Sequence, residues 1–209
     1  MNFSDTFNMT DSVVHGFVVL KDQNGNTIFK KNNMVVRAGR DAVFNKICDS
    51  FYNKYKLLDD NKYSIVENYE AYTNGNVFAK GNVFSHFSKI AFGNSNKMTT
   101  LDTNSINEIT LTGDEDSLYT INIDREDTDY SVSEKPQLVI SFENTETYRC
   151  IIFEITLNAI EPAELTELGL FYKDINDTEN LFSRVVFDPI FCGPNAAITE
   201  LNLNYYLYF

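Results

Sequence analysis

The chain has 209 residues, 43% hydrophobic and 22% charged, close to globular averages, so it can bury a real core and is not disordered throughout. Thirty acidic residues against seventeen lysines and arginines leave a net charge of −13, which repels a phosphate backbone and argues against sequence-specific nucleic-acid binding. Twelve tyrosines and seventeen phenylalanines, with no tryptophan, four prolines and nine glycines, predict a strand-rich fold.

In chain order, residues 1–12 carry no basic start and no apolar run, so they read as a flexible arm and not as a secretory leader. Residues 13–209 read as one domain. Apolar runs at 17–21 and 27–29 flank Asp22-Gln23-Asn24-Gly25-Asn26, which predicts a β-hairpin with positive φ angles at Asn24 and Gly25. After Val36 the period changes. Ala42, Val43, Phe44, Ile47, Cys48, Phe51 and Tyr55 fall three and four apart, predicting one long helix over 39–55. The polar stretch 56–83 reads as a loop excursion.

Strand-like runs follow at 87–92, 117–123, 137–143, 148–157, 166–172, 181–187 and 201–209, separated by clusters of Asn, Asp, Gly and Pro. Period-two alternation puts Ile151, Phe153, Ile155 and Leu157 on one face, and Leu201, Leu203, Tyr205, Leu207 and Phe209 on another. These two faces are expected to meet in the core. The fold class predicted is mainly β: an antiparallel β-sandwich, jelly-roll-like, with one long helix after an N-terminal hairpin. No composition break divides the chain and no 20–50-residue period repeats. No run approaches the 18 apolar residues of a membrane span, so a soluble protein is expected.

Residues that could carry chemistry are few. His15 and His86 lie far apart with no motif around them, so each reads as a strand-end or surface residue and no catalytic residue is assigned. There is no nucleophile elbow and no phosphate-binding loop, and the run from Gly75 to Gly81 lacks the required glycine spacing. Asp124, Glu126, Asp127 and Asp129 lack the turn glycine and closing glutamate of a calcium loop, and Asp114-Glu115-Asp116 reads as a charged connection. No metal or cofactor is expected. Thirty acids make some close carboxylate pair unavoidable, so abundance alone does not indicate a glycoside hydrolase. Cys48, Cys150 and Cys192 form an odd set without CxxC spacing and read as buried thiols in a reducing compartment. Tyr52, Tyr55, Tyr63, Tyr69 and Tyr72 cluster; partial burial explains them, and sugar stacking is the alternative.

Gly169, between Leu168 and Leu170, suggests a bulge or a close approach. Arg184, flanked by Phe182 and Val185, can reach Glu167 or Asp188 or point into solvent. Arg37 and Arg40 meet an acidic neighbour or are solvated.

Three segments follow one another along the chain: Asn32-Asn33-Met34-Val35-Val36 with Gly39-Arg40, Ile90-Ala91-Phe92-Gly93-Asn94, and Glu167-Leu168-Gly169-Leu170-Phe171 with the run from Leu181 to Ile190. In this order they resemble structural proteins of tailed-bacteriophage virions. The central match extends through 99–103 to Glu108 and Ile109, and the stretch 56–83 departs from the pattern. The resemblance implies a non-enzymatic virion subunit of the tail, baseplate or neck, docked in a symmetric assembly with other virion proteins and copies of itself, and assembled in the host cytoplasm. A carbohydrate-binding receptor-recognition module of a tail fibre is the alternative.

Overall fold

The computed structural model describes residues 14–44, 46, 84–95, 97–109, 119–123, 137–145, 148–159 and 161–209. Among them the alternating runs form nine strands: β1 (His15–Asp22), β2 (Thr27–Val35), β3 (Phe84–Gly93), β4 (Thr120–Asn122), β5 (Gln137–Asn144), β6 (Arg149–Asn158), β7 (Ala163–Asp174), β8 (Glu179–Cys192) and β9 (Glu200–Tyr208). A helix, α1, covers 37–44. The strands make one sheet in the order β4-β3-β7-β8-β2-β1-β9-β6-β5, and every neighbouring pair is antiparallel. The expected mainly β, antiparallel architecture is therefore present, as a single sheet nearly closed into a barrel.

The curl is made at β2. Most of this strand ladders with β1, but its last residues, Met34 and Val35, cross to β8 opposite Arg184 and Ser183. The two arms of the sheet then face each other across the core. Phe87 of β3 meets Phe153 of β6 with ring centres 5.9 Å apart, and the same ring packs on Phe182 of β8 at 5.0 Å. Edge-on rings suit the aromatic quadrupole better than a face-to-face sandwich. Tyr205 of β9 closes the cluster on Phe153.

The alternation in β6 and β9 places their apolar residues side by side. Ile151, Phe153, Ile155 and Leu157 oppose Leu207, Tyr205, Leu203 and Leu201 in one register. The two sets thus share one face of one sheet and do not pack across the core. Phe209, expected to point inward, is 46% exposed because it lies past the last register pair of β9 with β1. β7 does not alternate: Leu165 to Tyr172 are buried on both faces. A second apolar cluster explains this, since Val36, Ala91, Phe171 and Leu181 pack with Ala38 and Ile106 on the outer side of β3, β7 and β8.

The hairpin between β1 and β2 forms where expected, but only Gly25 has positive φ, at 78°. The Asp22 carboxylate accepts the backbone N–H groups of Asn24 and Asn26, both at 2.9 Å, and Gly25 N–H donates to the Asp22 carbonyl. These bonds select a turn with one left-handed glycine after Asn24, so Asn24 keeps negative φ. Helix α1 starts two residues earlier than predicted, with the Arg40 N–H donating to the Val36 carbonyl. Ala42 and Val43 pack on the core as the periodicity demands, whereas Phe44 is exposed. The rest of the predicted helix, the arm 1–12 and the excursion 56–83 lie outside the described residues, apart from Lys46.

Candidate functional site

The outer face of β7 and β8 carries two opposite charges under cover. Glu167 and Arg184 are 0% and 3% exposed, and Arg184 Nε donates to Glu167 Oε2 at 2.6 Å. Of the two partners the sequence allowed, Asp188 is exposed and takes no part. The reason is a bulge in β8. Register runs from Glu167–Val186 to Leu165–Ile190, so Phe187, Asp188 and Pro189 loop past Thr166 and carry Asp188 away. Proline is tolerated there because a bulge needs no ladder N–H. Solvent exposure of Arg184, the other expectation, does not occur.

Each remaining polar atom of the pair is used on one segment, residues 94–109. Glu167 Oε1 accepts the backbone N–H of Ser95 at 2.9 Å and of Asn107 at 2.8 Å. Arg184 Nη1 donates to Thr99 Oγ1 at 3.2 Å, and Nη2 donates to the Lys97 carbonyl at 2.8 Å. Thr166 Oγ1 adds a bond to the Ser95 carbonyl. The planar guanidinium suits this task because its donors diverge in a fixed fork. Gly93 makes room for the carboxylate: a Cβ there would sit 2.6 Å from the Asn107 carbonyl oxygen and 2.7 Å from Glu167 Oε1. Gly169, opposite Arg184, is a close approach as anticipated, since a Cβ would stand 2.8 Å from Leu181 Cδ1.

The clamped segment presents Met98, 86% exposed, and Leu101 at the surface. Arg37 N–H donates to the Leu101 carbonyl, and the Arg37 side chain pairs with Asp102 at 2.7 Å, so it meets an acidic neighbour as one expectation had it. Both partners are exposed, and such pairs contribute little. Arg40 Nε donates to the Val35 carbonyl.

A second charged group was not anticipated. Lys89 Nζ on β3 contacts Glu108 at 3.0 Å and Glu179 at 2.7 Å, and stands 4.7 Å from the centre of the Phe171 ring. Burial opposes its charge, but the hydrogen bonds that it donates to Glu179 and Glu108 prevail and raise its pKa, so it stays an ammonium. No local motif announces it, because its partners come from β8 and from the segment before β4. Inside the barrel, Asn33, Ser183 and Tyr205 form a polar triad, and burial pushes the Tyr205 phenol up.

The other singled-out residues do not join these groups. His15 opens β1 and stacks on Tyr208 at 5.1 Å, with burial lowering its pKa, and His86 is exposed beside Ser85. Cys150 and Cys192 are buried, free and raised in pKa by burial, which disfavours the reactive thiolate. Cys48, the two acidic clusters and the tyrosines from Tyr52 to Tyr72 lie outside the described residues. Among the described residues, no group of three His, Cys, Asp or Glu side chains could hold a metal ion, and no helix is long and apolar enough to cross a membrane. What the arrangement can do is hold a surface segment in one shape. No protein-family model, no curated protein and no solved structure matches the chain.

Proposed function

We propose that this protein is a non-enzymatic structural subunit of a tailed-phage virion, docked in a symmetric tail, baseplate or neck assembly. Its partners are other virion proteins and copies of itself, and assembly takes place in the host cytoplasm. In this reading the two arms of the sheet act as the layers of a jelly-roll-like sandwich. One observation carries the proposal. The segments that resemble virion proteins, scattered from residue 32 to residue 190, meet in space around the Arg184–Glu167 pair and the segment it clamps. Burying two charges is costly, and here their hydrogen bonds are directed at a surface segment, which is where a subunit that works by shape needs rigidity.

The glycan-binding alternative gains no support among the described residues. Tyr206 and Tyr208 stand 6.3 Å apart with ring planes 13° from parallel, and His15 stacks on Tyr208 at 5.1 Å, so part of this aromatic surface is already covered by the chain itself. The test is composition and location. Mass spectrometry of purified particles from the phage that encodes this chain should find it in fixed ratio to the major tail proteins, and a particle reconstruction should place it in a ring. Mature particles without it, or a purified chain that turns over a cell-wall polymer, would overturn the reading.

A further inference from the structure

β5 ends one arm of the sheet. One of its sides ladders with β6 in an unbroken register over Gln137–Asn144, and among the described residues no strand pairs with the other side. Sheet edges are normally protected by lysines, prolines, bulges or shortness. β5 has none of these: it runs eight residues, contains no proline and carries no charge before Glu143. Phe142 and Val139 are 74% and 58% exposed, and Ile140 is exposed beside them. In a chain of net charge −13, this is a largely apolar, hydrogen-bond-competent edge with Glu143 as its one charge.

We infer that this edge pairs with β5 of a second copy of the chain, antiparallel about a two-fold axis, so that two sheets become one. The charge pattern favours a second copy over an unrelated strand because it fits itself. A two-fold axis normal to the sheet keeps outer faces on one side, so only registers that oppose like-facing residues are permitted. Val139, Ser141 and Glu143 share the face of Glu154, Ile152 and Cys150, while Leu138, Ile140 and Phe142 share that of Ile155, Phe153 and Ile151. Centring the pair on Ile140 opposes Leu138 to Phe142, Val139 to Ser141 and Gln137 to Glu143. Apolar then meets apolar on the inner face, and each carboxylate meets an amide. Centring on Ser141 would instead set Val139 against Glu143. The favoured register has no opposed like charges, so the interface avoids the repulsion that the total charge would otherwise impose. This pairing stands on the edge alone and does not depend on the virion reading.

Sedimentation of the full chain over two decades of concentration should show a monomer–dimer equilibrium. The double variant Val139→Lys/Phe142→Lys changes only exposed side chains and should weaken association by at least about tenfold while melting like the wild type at concentrations low enough for both to be monomers. Its added lysines lower the net negative charge, so association limited by general repulsion would strengthen instead. Register is read with cysteines. Ile140→Cys should form an intermolecular disulfide absent from the wild type, because directly opposed Cα atoms lie within about 4.5–5.5 Å. Gln137→Cys should not link to itself but should link to Glu143→Cys when the two are mixed. A monomer at all concentrations, a dimer indifferent to the lysines, or no disulfide at Ile140→Cys would overturn the inference.

Discussion

Replacing Arg184 with Met keeps most of the apolar stem and deletes the guanidinium. Glu167 would then keep only its two backbone donors, from Ser95 and Asn107, while Thr99 and the Lys97 carbonyl would lose theirs. Removing one partner of a buried ion pair costs about 3–5 kcal/mol, mostly because the other charge is left uncompensated. Against a total stability of about 5–15 kcal/mol this is a large fraction. With a urea slope of about 2 kcal/mol/M, the unfolding midpoint should fall by about 2 M. Hydrogen exchange adds a local readout: the Ser95 and Asn107 amides should lose protection in Arg184→Met more than amides of β9. The double variant Arg184→Met/Glu167→Gln should be less destabilised than the sum of its single variants, since neither charge remains. Arg184→Lys should fall between, because an ammonium cannot span Glu167, Thr99 and the Lys97 carbonyl together. A loss below about 1 kcal/mol in Arg184→Met, or additive single variants, would refute the clamp.

Deleting 205–209 removes Tyr205 and Leu207 from the core and takes ladder partners from β1 and β6; at about 1.5–3 kcal/mol each, burial alone accounts for about 3–6 kcal/mol, so the thermal transition followed by circular dichroism should move to much lower temperature. Phe209, being exposed, adds little, and a melt like that of the full chain would contradict the placement of β9. Gly93→Ala drives a methyl against the Asn107 carbonyl and the Glu167 carboxylate and should cost about 1–3 kcal/mol in urea unfolding, with the 94–109 amides exchanging faster; a neutral variant would mean that the segment is not clamped. At high pH, burial raises the pKa of Cys150, Cys192 and Tyr205, so the unfolded chain ionises first and binds fewer protons. Their contribution to stability is full below the ordinary thiol value of 9.0 and falls as pH climbs through the folded-state values, with Tyr205 joining above the ordinary phenol value of 10.0. Melting temperature against pH should therefore turn downward above about 9, and Cys192→Ala should reduce the slope; a flat profile to strongly alkaline pH would contradict the burial of these groups.

Much of the fold was legible because its signals are local. Turn-forming residues bound each strand, and alternation marks the inward positions of β6 and β9 without reference to any other part of the chain. The hairpin was placed correctly, yet its geometry depended on the Asp22 carboxylate bonding to Asn24 and Asn26, a side-chain choice that composition does not reveal. The same limit applies to β6 and β9. Alternation says which residues point the same way along one strand, not whether two such faces are neighbours in a ladder or opposites across a core.

By itself the sequence determined strand content, strand positions and most inward-facing residues of β6 and β9, because these follow from hydrophobic periodicity within about ten residues. It also marked Arg184, Glu167 and Gly169 as positions worth attention. Only the tertiary structure chose between Glu167 and Asp188, through a bulge near Pro189, and only the strand order brought Glu108 and Glu179 onto Lys89. Ion pairs of this kind join residues far apart in the chain, and their energy depends on burial and register. Both quantities come into existence when the sheet closes.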